Sequence, residues 1–174
     1  MANIYTIGHS TRTSEELIGL LKTFNVSHLI DVRKMPRSRT NPQFNLEVLA
    51  NTLQDSHISY SHFPQLAGLR KRAKDSINTA WRNKSFQAYA DYMQTDEFLQ
   101  AIQTLLDVIK HEKGSVALMC AEALPWRCHR SLIADALVAR GYQVEDIMSV
   151  TKANPHILRS FAKLNGEQVY YPSE

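Results

Sequence analysis

The sequence has few cysteines and no long hydrophobic run, and both scarcities limit what the protein can be. Only two cysteines occur among 174 residues, too few for a disulfide framework. No apolar run approaches the roughly 20 residues that a membrane helix needs. The N-terminus also lacks the charged and then apolar pattern of a signal peptide. We therefore expect a cytoplasmic protein that does not enter a membrane, with cysteines that serve packing, catalysis or metal binding.

Internal repeats and low-complexity segments are also absent. The length of 174 residues fits one domain of roughly 100 to 200 residues, so we expect a single domain over residues 1–174. The net charge is a mild +3, but residues 70–84 alone contain six Lys or Arg and one Asp. The stretch at about 64–84 has no periodicity. We expect it to be a long basic loop that is either a solvated surface or a contact for phosphate groups.

The rest of the chain alternates short apolar runs with segments of helical spacing. This alternation predicts an α/β fold with a mostly parallel central sheet and helices on both faces, a Rossmann-like three-layer sandwich. Strands are predicted at 3–8, 28–33, 58–63, 115–120 and 142–150, with a further edge strand at 168–172. Helices are predicted at 13–24, 46–55, 85–94, 96–114, 127–141 and 154–166.

Polar residues follow four of the predicted strands, at the point where each strand ends. Because the carboxyl ends of parallel strands lie at one edge of a sheet, we expect these residues to line a single ligand cleft. They are Gly8, His9 and Ser10 after the first strand, Asp31, Arg33, Ser38 and Arg39 after the second, His62 after the third, and Cys120, Glu122, Arg127, Cys128, His129 and Arg130 after the fourth.

The stretch after the fourth strand joins a cysteine to a helix through the loop AEALPWR. First-turn N–H groups of a helix attract anions, so we expect an anion site there. One chemistry is nucleophilic, because Cys120 and Arg127 are spaced as C-x6-R, close to the C-x5-R loop of cysteine phosphatases and rhodaneses. In that loop, N–H groups hold an oxyanion and stabilise a thiolate. Here Pro125 and Trp126 replace the usual glycines.

Two other chemistries suit the same residues. A metal site would use Cys120, Cys128, His129 and His9, since thiolates and imidazoles bind zinc, but the usual C-x2-4-C spacing is absent. The other chemistry makes Glu122 a general acid, base or nucleophile beside arginines, while both cysteines pack in the core. We favour Glu122 and expect no metal and no cofactor.

Taken together, the motifs resemble the domain of unknown function 488 family of small bacterial and archaeal proteins. The family pattern has GHS after a strand, DVR followed by Pro and Ser or Arg, Y-x-H, an LGG loop, and C-x-E followed by CHR. The matching residues here are Gly8-His9-Ser10, Asp31-Val32-Arg33 with Pro36, Ser38 and Arg39, Tyr60 with His62, Cys120 with Glu122, and Cys128-His129-Arg130. The chain departs from the pattern in the loop Leu66-Ala67-Gly68. The resemblance covers nearly the whole chain and implies a site at the CAE and CHR motifs.

We expect an enzyme that binds a phosphorylated or nucleotide-like substrate at this edge of the sheet. Glu122 would transfer a proton, His9 would assist, and Cys120 is the other catalytic candidate. The anion and its surroundings would be held by Ser10, Asp31, Arg33, Ser38, Arg39, Arg127, Cys128, His129 and Arg130. The alternatives are a cysteine-dependent phosphatase-like or sulfurtransferase-like enzyme, and a nucleic-acid-binding module that uses residues 70–84 with Trp81 for stacking.

Overall fold

The computed structural model describes residues 3–173, and a six-stranded sheet forms its centre. The strand order is β3-β2-β4-β1-β5-β6. Five strands are parallel, and β6 pairs antiparallel with β5. The strands are β1 (Ile4–Gly8), β2 (Val26–Asp31), β3 (Ser59–His62), β4 (Ser115–Cys120), β5 (Val144–Ser149) and β6 (Lys152–Pro155).

Within residues 3–173, five α-helices cover the two faces of the sheet. The helices α1 (Ser14–Thr23) and α2 (Leu46–Asp55) pack on one face. On the other face lie α3 (Lys84–Tyr92), α4 (Asp96–His111) and α5 (Arg130–Ala139). This arrangement confirms the predicted three-layer α/β fold. Among residues 3–173, no helix is both long and apolar enough to span a bilayer.

Alternation along β4 decides which way Cys120 points. All six residues of β4 are buried, as expected of a strand covered on both faces. Successive side chains of a strand point to opposite faces, so Ala117 and Met119 join the core beneath α1 and α2. Leu118 and Cys120 join the core beneath α5. The thiol of Cys120 therefore faces the helix that the CHR motif begins.

The predicted helix at 154–166 is wrong. Residues 152–155 form β6, and the chain then continues irregularly to a hairpin of β7 (Lys163–Asn165) and β8 (Gln168–Tyr170). The contacts of His156 explain this outcome. Its backbone N–H donates to Val144 O, and its ring contacts the buried carboxylates of Asp135 and Asp146. These tertiary contacts outweigh the helical spacing of the apolar residues. The strand predicted at 168–172 forms, but it pairs with β7 instead of with the central sheet.

The basic stretch at 64–84 begins with a 3-10 turn at Pro64–Leu66 and is irregular from there to α3. Hydrogen bonds of buried polar residues attach this stretch to the rest of the domain. The carboxylate of Asp91 accepts hydrogen bonds from Ala73 N, Ser76 Oγ and Asn78 Nδ2. The fully buried Asn78 in turn accepts one from Tyr171 N. Several polar groups of this stretch thus point inward, although its lysines are exposed.

Candidate functional site

A buried hydrogen bond between Cys120 and Arg130 lies at the centre of the predicted site. Nη1 of Arg130 donates to Cys120 Sγ across 2.7 Å. The exposed fraction is 2% for Cys120 and 0% for Arg130. Arg130 is the first residue of α5, so the parallel β4–loop–α5 connection returns its side chain to the end of the strand.

The remaining hydrogen bonds of the Arg130 guanidinium go to neutral oxygens. Nη1 donates to Glu122 O across 2.5 Å, Nη2 to Ala123 O across 3.2 Å, and Nε to Thr6 Oγ1 across 3.2 Å. Among residues 3–173, no carboxylate lies within 4.0 Å of this guanidinium. A buried cation without a counter-ion is very unfavourable. The thiolate of Cys120 is the anion in position to neutralise it.

The acidity of the two thiols follows from this arrangement. Burial raises the pKa of Cys120, but the neighbouring Cys128 thiol and the Arg130 guanidinium outweigh it and lower that pKa to about 7. The pKa of Cys128 is instead raised well above its ordinary value, mainly because its proton is shared with the Cys120 sulfur and because it is buried. The pair therefore loses one proton near neutral pH and holds one negative charge.

Gly8 allows the loop after Cys120 to lie against β1. A Cβ atom at Gly8 would stand 1.8 Å from Glu122 O, so any side chain there would displace the carbonyl that Arg130 binds. The backbone keeps the two segments together, since His9 N donates to Cys120 O and Ser10 N donates to Ala121 O. The glycine of the GHS motif thus positions the CAE loop.

Cys128 and His129 form the second half of the site. The Nδ1 of His129 lies 3.5 Å from Cys128 Sγ, and its Nε2 donates to Val32 O across 3.1 Å. Burial lowers the pKa of His129 to about 4, so the imidazole is neutral and its Nδ1 lone pair faces the thiol. A Cβ atom at Gly68 would lie 3.1 Å from that nitrogen, so the second glycine position of the LGG-like loop must stay small.

Arg33 is held by Asp31 instead of being free for an anion. Its Nε donates to Asp31 Oδ1 across 2.9 Å and its Nη2 to Asp31 Oδ2 across 2.7 Å. Its Nη1 contacts His9 Nε2 at 3.3 Å. His9 is buried, and that burial lowers its pKa. Tyr60 also donates to Asp31. Within the DVR motif, Asp31 therefore holds the Arg33 side chain in place. Arg33 also lines a neighbouring cavity.

A cavity of about 390 Å³ opens where these loops meet. A larger hollow of about 590 Å³ lies beside α2 and β3, but none of the predicted site residues lines it. The smaller cavity is lined by Arg33, Lys34, Met35, Gly68, Leu69, Ser85, Phe86, Tyr89, Ala121, Arg127, Cys128 and His129. The structure thus brings Arg33, Arg127, Cys128 and His129 together, and Cys128 is the thiol that faces the cavity.

Other predicted site residues lie outside the cavity wall. The side chain of Glu122 is exposed, and only its backbone carbonyl takes part in the network. Ser38 uses its hydroxyl to accept from Thr40 N and Asn41 N, so it shapes its own turn. Arg39 is exposed. Ser10 contributes its backbone, with a φ of 51°. His9 and Arg130 lie behind the wall and act on residues of the site.

The expectation of free N–H groups at the start of α5 is wrong. Arg130 N donates to Cys128 Sγ and Ser131 N donates to Cys128 O. The preceding loop turns the carbonyls of Glu122 and Ala123 toward Arg130, whereas an oxyanion cradle would turn N–H groups inward. Among residues 3–173, no group of three or more His, Cys, Asp or Glu is arranged to hold a metal ion.

Sequence patterns missed several cavity residues. Tyr89 and Phe86 looked like ordinary core positions of α3, although Tyr89 packs against the His129 ring with centroids 5.1 Å apart. Met35 and Leu69 stand in loops, where a single apolar residue is no signal. Trp81, expected to stack on bases, packs against Phe86 and against residues of the C-terminal segment. The one sequence signal for these residues was the position of Met35, two residues after the DVR motif.

Comparison with known proteins identifies the family of the chain. The family model described as Domain of unknown function DUF488 matches residues 13–137, more than half of the chain. No curated protein and no solved structure matches the chain. The matched range includes the DVR, CAE and CHR motifs, and it ends within α5.

Proposed function

The chain belongs to the DUF488 family, and for this member we propose a cysteine-dependent enzyme that acts on an anionic substrate. The observation that supports this most is the contact of 2.7 Å between Cys120 Sγ and a buried Arg130 that has no carboxylate partner among residues 3–173. Positive charge stabilises the Cys120 thiolate, and that thiolate would be the base that activates a nucleophilic cysteine beside it. The proposal therefore favours the sequence-based alternative of cysteine chemistry over acid–base chemistry by Glu122.

The two thiols would have different roles in the reaction. Cys128 lines the cavity and is the proposed nucleophile, while Cys120 is the resting thiolate. The Cys128 proton would move to Cys120, an uphill step because Cys128 has the higher pKa of the two thiols; His129, with a pKa of about 4, is a still weaker proton acceptor. The resulting Cys128 thiolate would attack the substrate and displace its leaving group. His129 would orient the thiol through Nδ1.

The anionic group of the substrate, a phosphate or a similar group, would bind at Arg127 and Lys34. Both side chains are exposed, and both line the cavity. Arg33 contributes less, because Asp31 already neutralises it. A reducing compartment such as the cytoplasm, which we expect from the sequence, would keep both thiols free as this chemistry requires.

Alkylation by two matched reagents tests the proposal without knowledge of the natural substrate. Both react by attack of sulfur on carbon with loss of iodide, but iodoacetate is an anion and iodoacetamide is neutral. We expect iodoacetate to label Cys128 faster than iodoacetamide does, with a rate that saturates. Arg127→Ala should remove the preference, whereas Glu122→Gln should keep it. Faster labelling by iodoacetamide, or a preference that survives Arg127→Ala, would reject the proposal.

Nucleic-acid binding by residues 70–84 is the second candidate, and the charge that supports it is the exposed Lys71, Lys74 and Arg82. Each phosphate contact should contribute a slope of about −0.9 to log K against log salt. A charge-neutralised triple variant of these three residues should then lose the salt dependence. Equal binding by the triple variant would reject this candidate and leave the cysteine proposal untouched.

A further inference from the structure

The cavity walls point to a narrower class of substrate than an anion alone. Resting on the proposed function, which makes this cavity the active site, we propose that the substrate has an apolar ring beside its anionic group and that Leu69 selects it. A small inorganic anion would reach the cations and leave the apolar wall uncovered.

Two large apolar side chains at the cavity are exposed to water. Met35 is 72% exposed and Leu69 is 76% exposed, and both line the cavity. They belong to different loops, after β2 and after the 3-10 turn at Pro64–Leu66, yet they border the same space. Covering such surface is favourable by roughly 25 cal/mol per Å². A ligand with an apolar body would gain this energy, and a purely ionic ligand would not.

The backbone conformation of Leu69 is strained, and the surrounding loop holds it in place. Its φ of 60° is in the left-handed region, which is unfavourable for a leucine because its Cβ atom crowds the backbone. The next residue fixes the loop, since Arg70 donates to Ala67 O and Pro64 O at 3.0 Å and stacks 3.9 Å above the Tyr92 ring. A strained and anchored backbone that displays an apolar side chain in water is typical of a binding loop.

Aromatic residues form the adjoining wall. Phe86 and Tyr89 line the cavity, and Tyr89 uses its hydroxyl to donate to Leu66 O across 2.8 Å. Tyr89 is only 1% exposed and supports the wall from behind, so the partly exposed Phe86 supplies most of the aromatic surface. Rings pack well against aromatic and leucine side chains. The cavity volume of about 390 Å³ is within the usual range for a small-molecule site.

Positively charged side chains line the same cavity. The exposed side chains of Lys34 and Arg127 form no hydrogen bond or ion pair with another residue of the described range 3–173, so both are free to bind an anion. Apolar surface and free cations thus border one cavity beside Cys128 Sγ. A ring with one anionic substituent would contact the apolar residues and the two cations at the same time.

Three probes separate the contributions: phenyl phosphate, inorganic phosphate and phenol, with binding to the full chain measured by isothermal titration calorimetry. We expect phenyl phosphate to bind at least about tenfold more tightly than either of the other two. Leu69→Gly, which also relieves the backbone strain, should weaken phenyl phosphate several-fold and leave inorganic phosphate unchanged. The matched control is Ile157→Gly, because Ile157 is 81% exposed and lies away from the cavity.

Two results would overturn the inference: inorganic phosphate binding as tightly as phenyl phosphate, or Leu69→Gly behaving like Ile157→Gly. Repeating the titration with Cys128→Ser separates this inference from the proposed function, since binding needs no thiol. Ring-dependent binding without the iodoacetate preference would reject only the cysteine chemistry. The iodoacetate preference without ring-dependent binding would reject only the substrate class.

Discussion

Arg130 Nη1 lies 2.7 Å from Cys120 Sγ, and both side chains are inaccessible to solvent. Phosphatase-like loops use an arginine to hold the substrate, a role that the C-x6-R spacing gives to Arg127 and that the sequence led us to expect of Arg130 as well. Here Arg130 instead holds the protein's own sulfur and the carbonyls of the loop. The anion that it stabilises is therefore part of the protein, and a substrate must find its cations elsewhere.

The first prediction concerns the thiolate. Ultraviolet absorbance of the thiolate should titrate with a midpoint of about pH 7, because Cys128 and Arg130 outweigh the effect of burial on the pKa of Cys120. Cys128→Ala removes the hydrogen-bond donor and should raise the midpoint. Cys128→Ser keeps a donor and should leave it low. Persistence of the step in Cys120→Ser would contradict the assignment.

The second prediction concerns the buried brace after β2. Asp31→Asn leaves the Arg33 guanidinium buried without its carboxylate and should lower the free energy of unfolding by about 3 to 5 kcal/mol. Arg37→Ala breaks the exposed pair with Glu47 and should cost about 0 to 1 kcal/mol. Urea denaturation measures both. Equal losses in the two variants would show that Asp31 is not a buried counter-ion.

The third prediction uses two glycines with opposite surroundings. Gly8→Ala places a methyl group 1.8 Å from Glu122 O, so it should lower the melting temperature and raise the pKa of Cys120 by displacing the loop. Gly19→Ala lies within α1, where a Cβ meets nothing within 4 Å, and should stabilise by roughly 0.5 to 1 kcal/mol. Thermal denaturation compares them, and a stable Gly8→Ala protein would refute the close approach.

The fourth prediction is a pH dependence of stability. Burial lowers the pKa of His156, but Asp135 and Asp146 outweigh it and raise the pKa to about 9. A raised folded pKa means that the protonated form stabilises the fold. This contribution is complete below the unfolded value of about 6.5 and is lost as pH rises through the folded value. The stability difference between wild type and His156→Gln should shrink from about pH 6 to about pH 10. A constant difference across that range would contradict it.

The order of strands and helices as far as β5 was readable from the sequence because local patterns produce it. The β4 residues 115–120 are uninterruptedly apolar, and Thr13 with Glu16 predicts a capping box that the structure contains. The clustering of GHS, DVR, CAE and CHR at one sheet edge followed from a parallel sheet alone. The resemblance to the DUF488 family, read from these motifs, is confirmed by the match over residues 13–137.

The tertiary structure alone decided which charges face solvent and which face one another. Arg33, Arg127 and Arg130 look alike in the sequence, yet one is braced by Asp31, one is exposed at the cavity and one is buried against Cys120. The partners of these arginines come from distant segments of the chain. Arg130 donates to the Thr6 hydroxyl, and Arg33 donates to the Phe44 carbonyl. Similarly, two buried carboxylates hold His156 and prevent the helix that local spacing predicts. Burial and long-range pairing set these outcomes, and neither is encoded in local periodicity.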